Sequence, residues 1–298
     1  MSKRWLAQRE RGHRWAYECM LWVALRLGRK AARALLYPIC IYYVLFSWTA
    51  SRGIKTFLGR VLQRPVTLTD LFCQYHAFAS TLLDRAFLLA GRYHEFDLTI
   101  RDAKPLLDRV DRQQGCLLLG SHLGSFEILR ATGLISRAIP IKLLMHQENA
   151  PILNEVLGNL DPTMLDSIIP VGEPETMLRA KECLDEGGLV GMLGDRPLKH
   201  EKAVPCQFFG HTAQFPSGPM LLASILKVPV VLFFCLYRGG GRYDIHFELF
   251  AETVNIPREN RAQGLQEWTE RYVHRLEAYC KLAPSNWFNF YDFWESDK

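Results

Sequence analysis

The sequence predicts an α/β fold: a mixed, mainly parallel sheet flanked by helices, preceded by a helical N-terminal region. Three observations carry that reading. Apolar runs of strand length alternate with helix-like stretches from residue 116 onward, the rhythm of a parallel sheet with helices on both faces. Those runs are continuously apolar rather than alternating, as strands covered on both sides are. The first 64 residues differ from the rest in charge and hydropathy.

The 298 residues are 49% hydrophobic and 22% charged. That composition is globular and excludes a disordered tail, a collagen-like repeat or a disulfide miniprotein. A sizeable core is within reach, since about three quarters of the unfolded chain's surface is buried at this length. The formal net charge of +5 hides an asymmetry. Residues 1–64 carry 13 Lys or Arg against 2 Glu, a net of +11, and residues 65–298 net −6. A basic arm on a mildly acidic body argues against a nucleic-acid groove across the body. It argues for an anionic surface met by the arm alone.

Within the arm, residues 34–51 hold no charge over 18 positions, between Arg33 and Arg52. That reaches the lower end of the range for a membrane-spanning helix, roughly 17–25 residues. Pro38 is expected to kink such a helix. Tyr37, Tyr42, Tyr43 and Trp48 are residue types that favour a membrane–water boundary. A buried helix of a large protein is the competing reading for so short a run. A signal peptide is not, because the charged stretch ahead of the run exceeds thirty residues. Both flanks are basic, from Lys3 to Arg33 and from Arg52 to Arg64, so the positive-inside rule favours a cytoplasmic position for both. One span cannot satisfy that, whereas an element lying in the membrane plane against anionic headgroups can. The expected attachment is monotopic, and the apolar stretch 19–25 adds to the same face.

The body opens with a helix from Thr69, read as its N-cap, to Gly91, with apolar positions at helical spacing between them. Strands are expected at 116–120, 140–145, 167–171, 188–194 and 229–237, with helical stretches at 124–138, 150–160, 173–186 and 215–227. Gly239–Gly241 turn the chain into an alternating strand, 242–250, expected to pair antiparallel at an edge. A helix over about 259–281 follows. The eight cysteines include no C-x-x-C pair. Several (Cys40, Cys116, Cys235) lie in apolar runs and read as reduced structural thiols of a protein facing the cytosol.

Three clusters fall where strands end, the place where ligands bind in α/β sheets. The first is Gly120-Ser121-His122-Leu123-Gly124-Ser125-Phe126-Glu127. A turn at Gly124 is expected to bring Glu127 back to the imidazole of His122. A carboxylate on one ring nitrogen fixes the tautomer and leaves the other nitrogen to take a proton from a hydroxyl. A bare H-x4-E spacing also describes a structural histidine before a helix-capping glutamate, and the strand–turn–helix setting with two glycines favours a site. The second cluster is Gly194-Asp195-Arg196-Pro197, suited to orienting a substrate or stabilising negative charge, or else a surface ion pair. The third, 208–219, reads as a turn into a helix at 219–227. Backbone N–H groups near Gly218 are candidates to bind an oxyanion, and a purely structural loop is the alternative.

Six aromatics among residues 287–294 read chiefly as hydrophobic closure of the core. Glu148 and Asn149 are candidates to line the same cleft, while His146, His200 and His211 have no evident partner. No G-x-S-x-G elbow is present, since His122 holds the centre between Gly120 and Gly124, so a covalent acyl-serine is not expected. No G-x-G-x-x-G or Walker loop follows the first body strand.

Taken in order, these motifs resemble the late acyltransferases of lipid A biosynthesis, a branch of the lysophospholipid acyltransferase superfamily. The matching parts are the H-x4-E of His122–Glu127, the G-D-R of 194–196 and the F-F-G-x-x-A-x-F-P-S-G of 208–218. Leu221-Leu222-Ala223 and Val228-Pro229-Val230-Val231 follow as they do in the family, and the likeness covers roughly residues 34–290. The resemblance implies a membrane-bound O-acyltransferase whose substrate is an acyl carrier protein or coenzyme A thioester, with no metal or cofactor. It implies His122 as catalytic base with Glu127 as its partner, and Asp195 within the active site. Gly124, Ser125, Asp195, Arg196, Phe215, Pro216, Ser217 and Gly218 are the expected substrate-binding residues. Expected partners are anionic membrane lipid, the acyl thioester and a lipid acceptor at the cytoplasmic face of a bacterial inner membrane, with no nucleic acid. Residues 1–64 are then the attachment helices and 65–298 the acyltransferase domain.

The chain also departs from its relatives. Those with glucosamine-disaccharide acceptors usually carry an arginine where this chain reads Asn154-Glu155-Val156-Leu157-Gly158-Asn159. The phospholipid branch has an acid where this chain has Ser217. The aromatic tail resembles a subgroup found with other acylated envelope lipids, so these departures bear on the acceptor. A thioesterase or lipid hydrolase on the same residues, with water replacing the hydroxyl, is the nearest rival. A non-catalytic membrane lipid-binding protein is the other.

Overall fold

The computed structural model describes residues 14–131, 139–145, 155, 157–158, 160–161, 166–197 and 201–295. The strands of its main sheet are β1 (Asp97–Arg101), β2 (Cys116–Gly120), β3 (Ile141–Met145), β4 (Ile168–Pro170), β5 (Leu189–Leu193), β8 (Val230–Tyr237) and β9 (Arg242–Ala251). β6 (Ala203–Phe208) and β7 (His211–Pro216) form a separate hairpin. The sheet order is β1-β9-β8-β2-β5-β3-β4. β8, β2, β5, β3 and β4 run parallel, and β9 pairs antiparallel with β8. The fold is therefore the mixed, mainly parallel α/β fold that the sequence predicts.

Composition explains the order. Every residue of β2 and β8 is buried, which suits the unbroken apolar runs CLLLG and VVLFFCLY to the middle of a covered sheet. The register then places the site. Cys116 pairs with Leu189 and Gly120 with Leu193, so β2 and β5 end level and deliver residues 121–122 and 194–195 side by side. The Gly194 N–H donates to the Gly120 carbonyl at 3.0 Å.

Three local expectations change. The 242–250 strand is antiparallel as expected, but it is not the edge, because β1 lies outside it in parallel register from Asp97↔Arg242 to Arg101↔His246. The sequence DLTIR is largely exposed and mixes charge with apolar residues, so it carries no buried-strand signal. The helix after the arm is capped by Thr67 rather than Thr69. Thr67 Oγ1 accepts from the Asp70 N–H, and Asp70 Oδ2 accepts from the Thr67 N–H, a capping box. The 208–218 segment is not a simple turn but the β6–β7 hairpin. It reverses at Phe209 (φ 51°) and Gly210 (φ 73°), two left-handed residues of the kind a tight hairpin needs. The 150–160 stretch and residues 132–138 lie mostly or wholly outside the described residues.

Among the described residues the helices are α1 (Arg14–Phe46), α2 (Trp48–Leu62), α3 (Leu68–Leu89), α4 (Lys104–Asp111), α5 (Thr176–Asp185), α6 (Gly218–Leu226) and α7 (Arg261–Leu282). The non-helical residue inside α1 is Gly28 (φ 83°), while Pro38 lies within helix. Among the described residues no single helix is long and apolar enough to cross a membrane. α1 and α2, bent by 91°, meet that test only as a pair, by length and composition. Their two faces differ. Ala24, Ala32, Leu36, Cys40, Ile54, Phe57 and Leu58 are buried in the same hydrophobic cluster as the sheet. Trp22, Tyr37, Ile41, Tyr42, Leu45 and Phe46 are exposed, and Trp48 is 82% exposed. Arg29, just past the Gly28 break, binds the fully buried Asp84 of α3 through Nε and Nη2 at 2.7 Å each. Tyr243 of β9 donates to the same carboxylate at 2.7 Å, so a buried ion pair ties α1 to both α3 and the sheet.

Candidate active site

The loop after β2 is held from both sides. Gly124 adopts φ +75°, and a Cβ there would lie 1.6 Å from the Cys235 carbonyl of β8, so only glycine fits this close approach. The Ser125 N–H donates to that same carbonyl at 3.2 Å. On the other side stands the C-terminal segment. The Phe288 N–H donates to the His122 carbonyl at 2.8 Å, and the Gly124 N–H donates to the Asn286 carbonyl at 2.9 Å. Asn286 in turn accepts from the Tyr237 N–H at the end of β8, at 2.6 Å.

Between these supports, His122 Nδ1 lies 2.8 Å from Asp195 Oδ1. The His122 backbone N–H reaches both Asp195 oxygens at 3.1 Å, and the Trp287 indole N–H donates to Oδ2 at 2.9 Å. Asp195 is fully buried. Burial works against its charge, but the imidazole, the Arg196 charge and the indole N–H outweigh that and hold its pKa at about 2. An ionised Asp195 accepts from Nδ1–H, which leaves Nε2 as the basic nitrogen. Burial lowers the His122 pKa from its ordinary value and the Arg196 charge adds to that, against the opposing pull of Asp195 and Glu127. The imidazole is thus neutral at neutral pH, and its side chain keeps 31% of its surface exposed. The arrangement is a reachable base with a fixed tautomer.

The carboxylate that orients the imidazole is Asp195, not Glu127 as the spacing suggested. Glu127 Oε1 pairs with Arg85 Nε of α3 at 3.0 Å, and its Oε2 accepts from Ser125 Oγ at 3.4 Å. The reason lies in the backbone. Residue 125 is pinned to β8 and a short 3-10 turn, Phe126–Ala131, begins at once, turning Glu127 towards α3. The β2–β5 register meanwhile sets Asp195 beside His122.

Arg196 donates through Nη2 to the Phe288 carbonyl, and its guanidinium carbon lies 5.9 Å from the Tyr291 ring centroid. Its Nε is buried with no hydrogen-bond partner among the described residues. The third cluster comes alongside through α6, since a Cβ on Gly194 would lie 3.5 Å from Pro219 Cγ. Its expected donors are already engaged. The Gly218 N–H donates to Glu201 Oε1 at 2.8 Å, and the Ser217 N–H donates to the Lys202 carbonyl at 3.0 Å. Phe215 and Pro216 are buried, with Phe215 packed edge-on against Phe208 and Phe293. These two therefore belong to the core beneath the site.

Sequence reasoning missed the hydrogen-bonding members of the tail, Asn286 and Trp287, and Tyr272 of α7, whose hydroxyl donates to the Gly120 carbonyl at 2.7 Å. Gln74 of α3, fully buried, donates to the Trp287 carbonyl. The aromatic run 287–294 was the available signal, and it reads as core because six of its residues are apolar rings. His211 stands exposed at the start of β7. His146, Glu148, Asn149 and His200, with residues 154, 156 and 159, fall outside the described residues. Among the described residues no group of three or more His, Cys, Asp or Glu is placed to hold a metal ion.

A family model described as bacterial lipid A biosynthesis acyltransferase matches residues 89–296, more than two thirds of the chain. The match spans the His122 loop, the Asp195–Arg196 loop, the β6–β7 hairpin and the whole aromatic run 287–294. A comparison with curated proteins gave no match.

Proposed function

The chain belongs to the bacterial lipid A biosynthesis acyltransferase family, and from that premise we propose a thioester-dependent O-acyltransferase with His122 as its general base. The acyl group comes from an acyl carrier protein or coenzyme A thioester and goes to a hydroxyl of a lipid or glycolipid. The observation that carries the reading is the 2.8 Å contact between His122 Nδ1 and a fully buried, ionised Asp195. That pairing leaves Nε2 neutral and available to a hydroxyl.

In the proposed reaction Nε2 takes the hydroxyl proton as the oxygen attacks the thioester carbonyl. Positioned general-base catalysis of this kind contributes ~10²–10⁴-fold. The tetrahedral intermediate carries an oxyanion, and the Arg196 guanidinium is the nearby positive charge suited to it. When the C–S bond breaks, the imidazolium returns its proton to the departing thiolate. Asp195 stabilises the imidazolium through Nδ1–H without taking the proton itself. Transfer is direct, with no acyl-enzyme, and the mechanism calls on no metal or cofactor.

Exposed aromatic and aliphatic side chains on α1 and α2 support monotopic attachment at the cytoplasmic face of an inner membrane. The +11 charge of residues 1–64 suits anionic lipid and an acidic carrier protein alike.

The test is thiol release from an acyl thioester by the full chain in anionic vesicles, with and without added envelope lipid. Release that depends on the lipid, with one fixed acyl mass gained by it and loss of both in His122→Ala, is expected. Equal release without acceptor would instead mark a thioesterase, and release undiminished in His122→Ala would remove His122 from the chemistry.

A further inference from the structure

We propose that Trp287 is a positioning residue of the His122–Asp195 pair, its indole N–H fixing Asp195 so that His122 presents Nε2 as the base. The proposal rests on the general-base reading above and adds a residue that no motif of the sequence marks.

Asp195 Oδ1 takes the imidazole Nδ1 and the His122 backbone N–H, while Oδ2 takes that backbone N–H and the indole N–H. Without the indole, Oδ2 would keep only a shared donor at 3.1 Å, and the carboxylate would be free to rotate about its last bond. An indole nitrogen donates only, so it can hold the carboxylate but cannot relay a proton.

Residues 287 and 288 also hold the other member of the pair. Trp287 bridges Leu123 in antiparallel fashion, and the next N–H, of Phe288, donates to the His122 carbonyl. One short segment therefore grips the base through its backbone and the base's partner through a side chain. The grip is itself fixed. The indole packs against Phe57 of α2 with centroids 4.6 Å apart and against Phe293 at 4.9 Å, and Gln74 of α3 holds its carbonyl.

A buried tryptophan needs some acceptor for its N–H, so packing alone offers a plainer account. The two accounts differ in what happens to His122. The charged groups facing its ring are Asp195, Arg196 and Glu127. Facing Asp195 are also three titratable groups that burial keeps neutral, Tyr272 and Cys280 of α7 and Tyr291 of the tail. Replacing the indole N–H leaves all of these in place.

The experiment uses the full chain in detergent with ¹⁵N-labelled histidine. Trp287 is replaced by phenylalanine and, at this single position, by 3-benzothienylalanine, which keeps the ring shape with sulfur in place of N–H. In the native protein the neutral His122 should carry its proton on Nδ1. In the benzothienyl variant the carboxylate, free to rotate, holds Nδ1–H less firmly and stabilises the imidazolium less. Nδ1 protonation should then become incomplete, and the titration midpoint should fall by about half a unit or more. With an acyl thioester as probe, kcat should fall by roughly tenfold or more, with KM within about twofold. An unmoved midpoint and tautomer in the benzothienyl variant would overturn the proposal, whatever Trp287→Phe does to folding. A shifted midpoint in a protein that transfers no acyl group would sink the acyltransferase mechanism and leave the positioning role standing.

Discussion

Asp195 and His122 stand 73 positions apart in the chain, yet Oδ1 and Nδ1 meet at 2.8 Å, with the carboxylate fully buried. The contact follows from register rather than local sequence, because the paired ends of β2 and β5 set their loops side by side. Asp195→Asn keeps the shape and removes the charge, and the amide can present N–H where Nδ1–H needs an acceptor. The expected result is a fall in kcat of about 10³-fold or more with little change in KM, as when the orienting carboxylate of a His–Asp pair is neutralised elsewhere. Steady-state kinetics on an acyl thioester check this, and a loss below tenfold would mean that Asp195 does not set the tautomer.

Glu127→Gln should behave differently. Glu127 is bound to Arg85 and reaches His122 only through its charge. Removing that charge lowers the imidazole's proton affinity a little further and leaves the Nδ1 contact intact. We expect a kcat loss within about tenfold. The same variant breaks the Arg85 pair between α3 and the 3-10 turn, so its melting temperature should drop. A variant as inactive as Asp195→Asn but equally folded would give Glu127 the larger role.

The pH dependence follows from the two shifts and runs in one direction. The folded His122 pKa lies below its ordinary value because of burial and Arg196, and the base must be neutral to act. The acid limb of kcat/KM should therefore fall below pH 6.5, the ordinary histidine value. Stability follows the same sign. Below that value the unfolded chain binds the His122 proton more readily than the folded one, so stability declines as pH falls. Asp195, held at about 2 against 3.8 when unperturbed, contributes stability above the unfolded value, and that contribution is lost as pH falls through the folded one. A plot of melting temperature against pH should decline below neutrality and more steeply below about pH 4. In Asp195→Asn the second decline should be weaker.

Where structure is carried by local pattern, the sequence could be read. The unbroken runs of β2, β5 and β8 announced buried strands, and the glycines around His122 announced a tight turn after β2, though a 3-10 turn follows it where a helix was expected. Pairings between distant elements were not legible. The identity of His122's partner depends on strand register, so the nearer Glu127 was the natural but incorrect inference. β1 escaped notice because DLTIR buries little, and the 208–218 hairpin because its turn residues, Phe209 and Gly210, sit in a run that also resembles a helix entry. Trp287 was visible only as an aromatic. A hydrogen bond between residues 92 positions apart leaves no periodicity to detect.

The exposed apolar face at the α1–α2 bend makes the last prediction. Leu45, Phe46 and Trp48 are exposed at 54%, 63% and 82%, where the two helices meet at 91°. Other α1 and α2 residues (Leu36, Cys40, Ile54, Phe57) fill the core, so the bend can be altered without disturbing it. Burying a large apolar side chain gains ~1.5–3 kcal/mol. Phe46→Ser with Trp48→Ser should therefore weaken partition into vesicles of phosphatidylglycerol and phosphatidylethanolamine on the order of a hundredfold. Melting temperature in detergent should hold, because neither side chain packs inside. Raising salt should weaken binding of native and altered protein alike, since the basic arm acts through screened charge. Co-sedimentation measures all three. If the double variant binds vesicles as tightly as the native chain, the bend is not the membrane contact. An N-terminus protected from protease on the side opposite the body would replace in-plane attachment with a span.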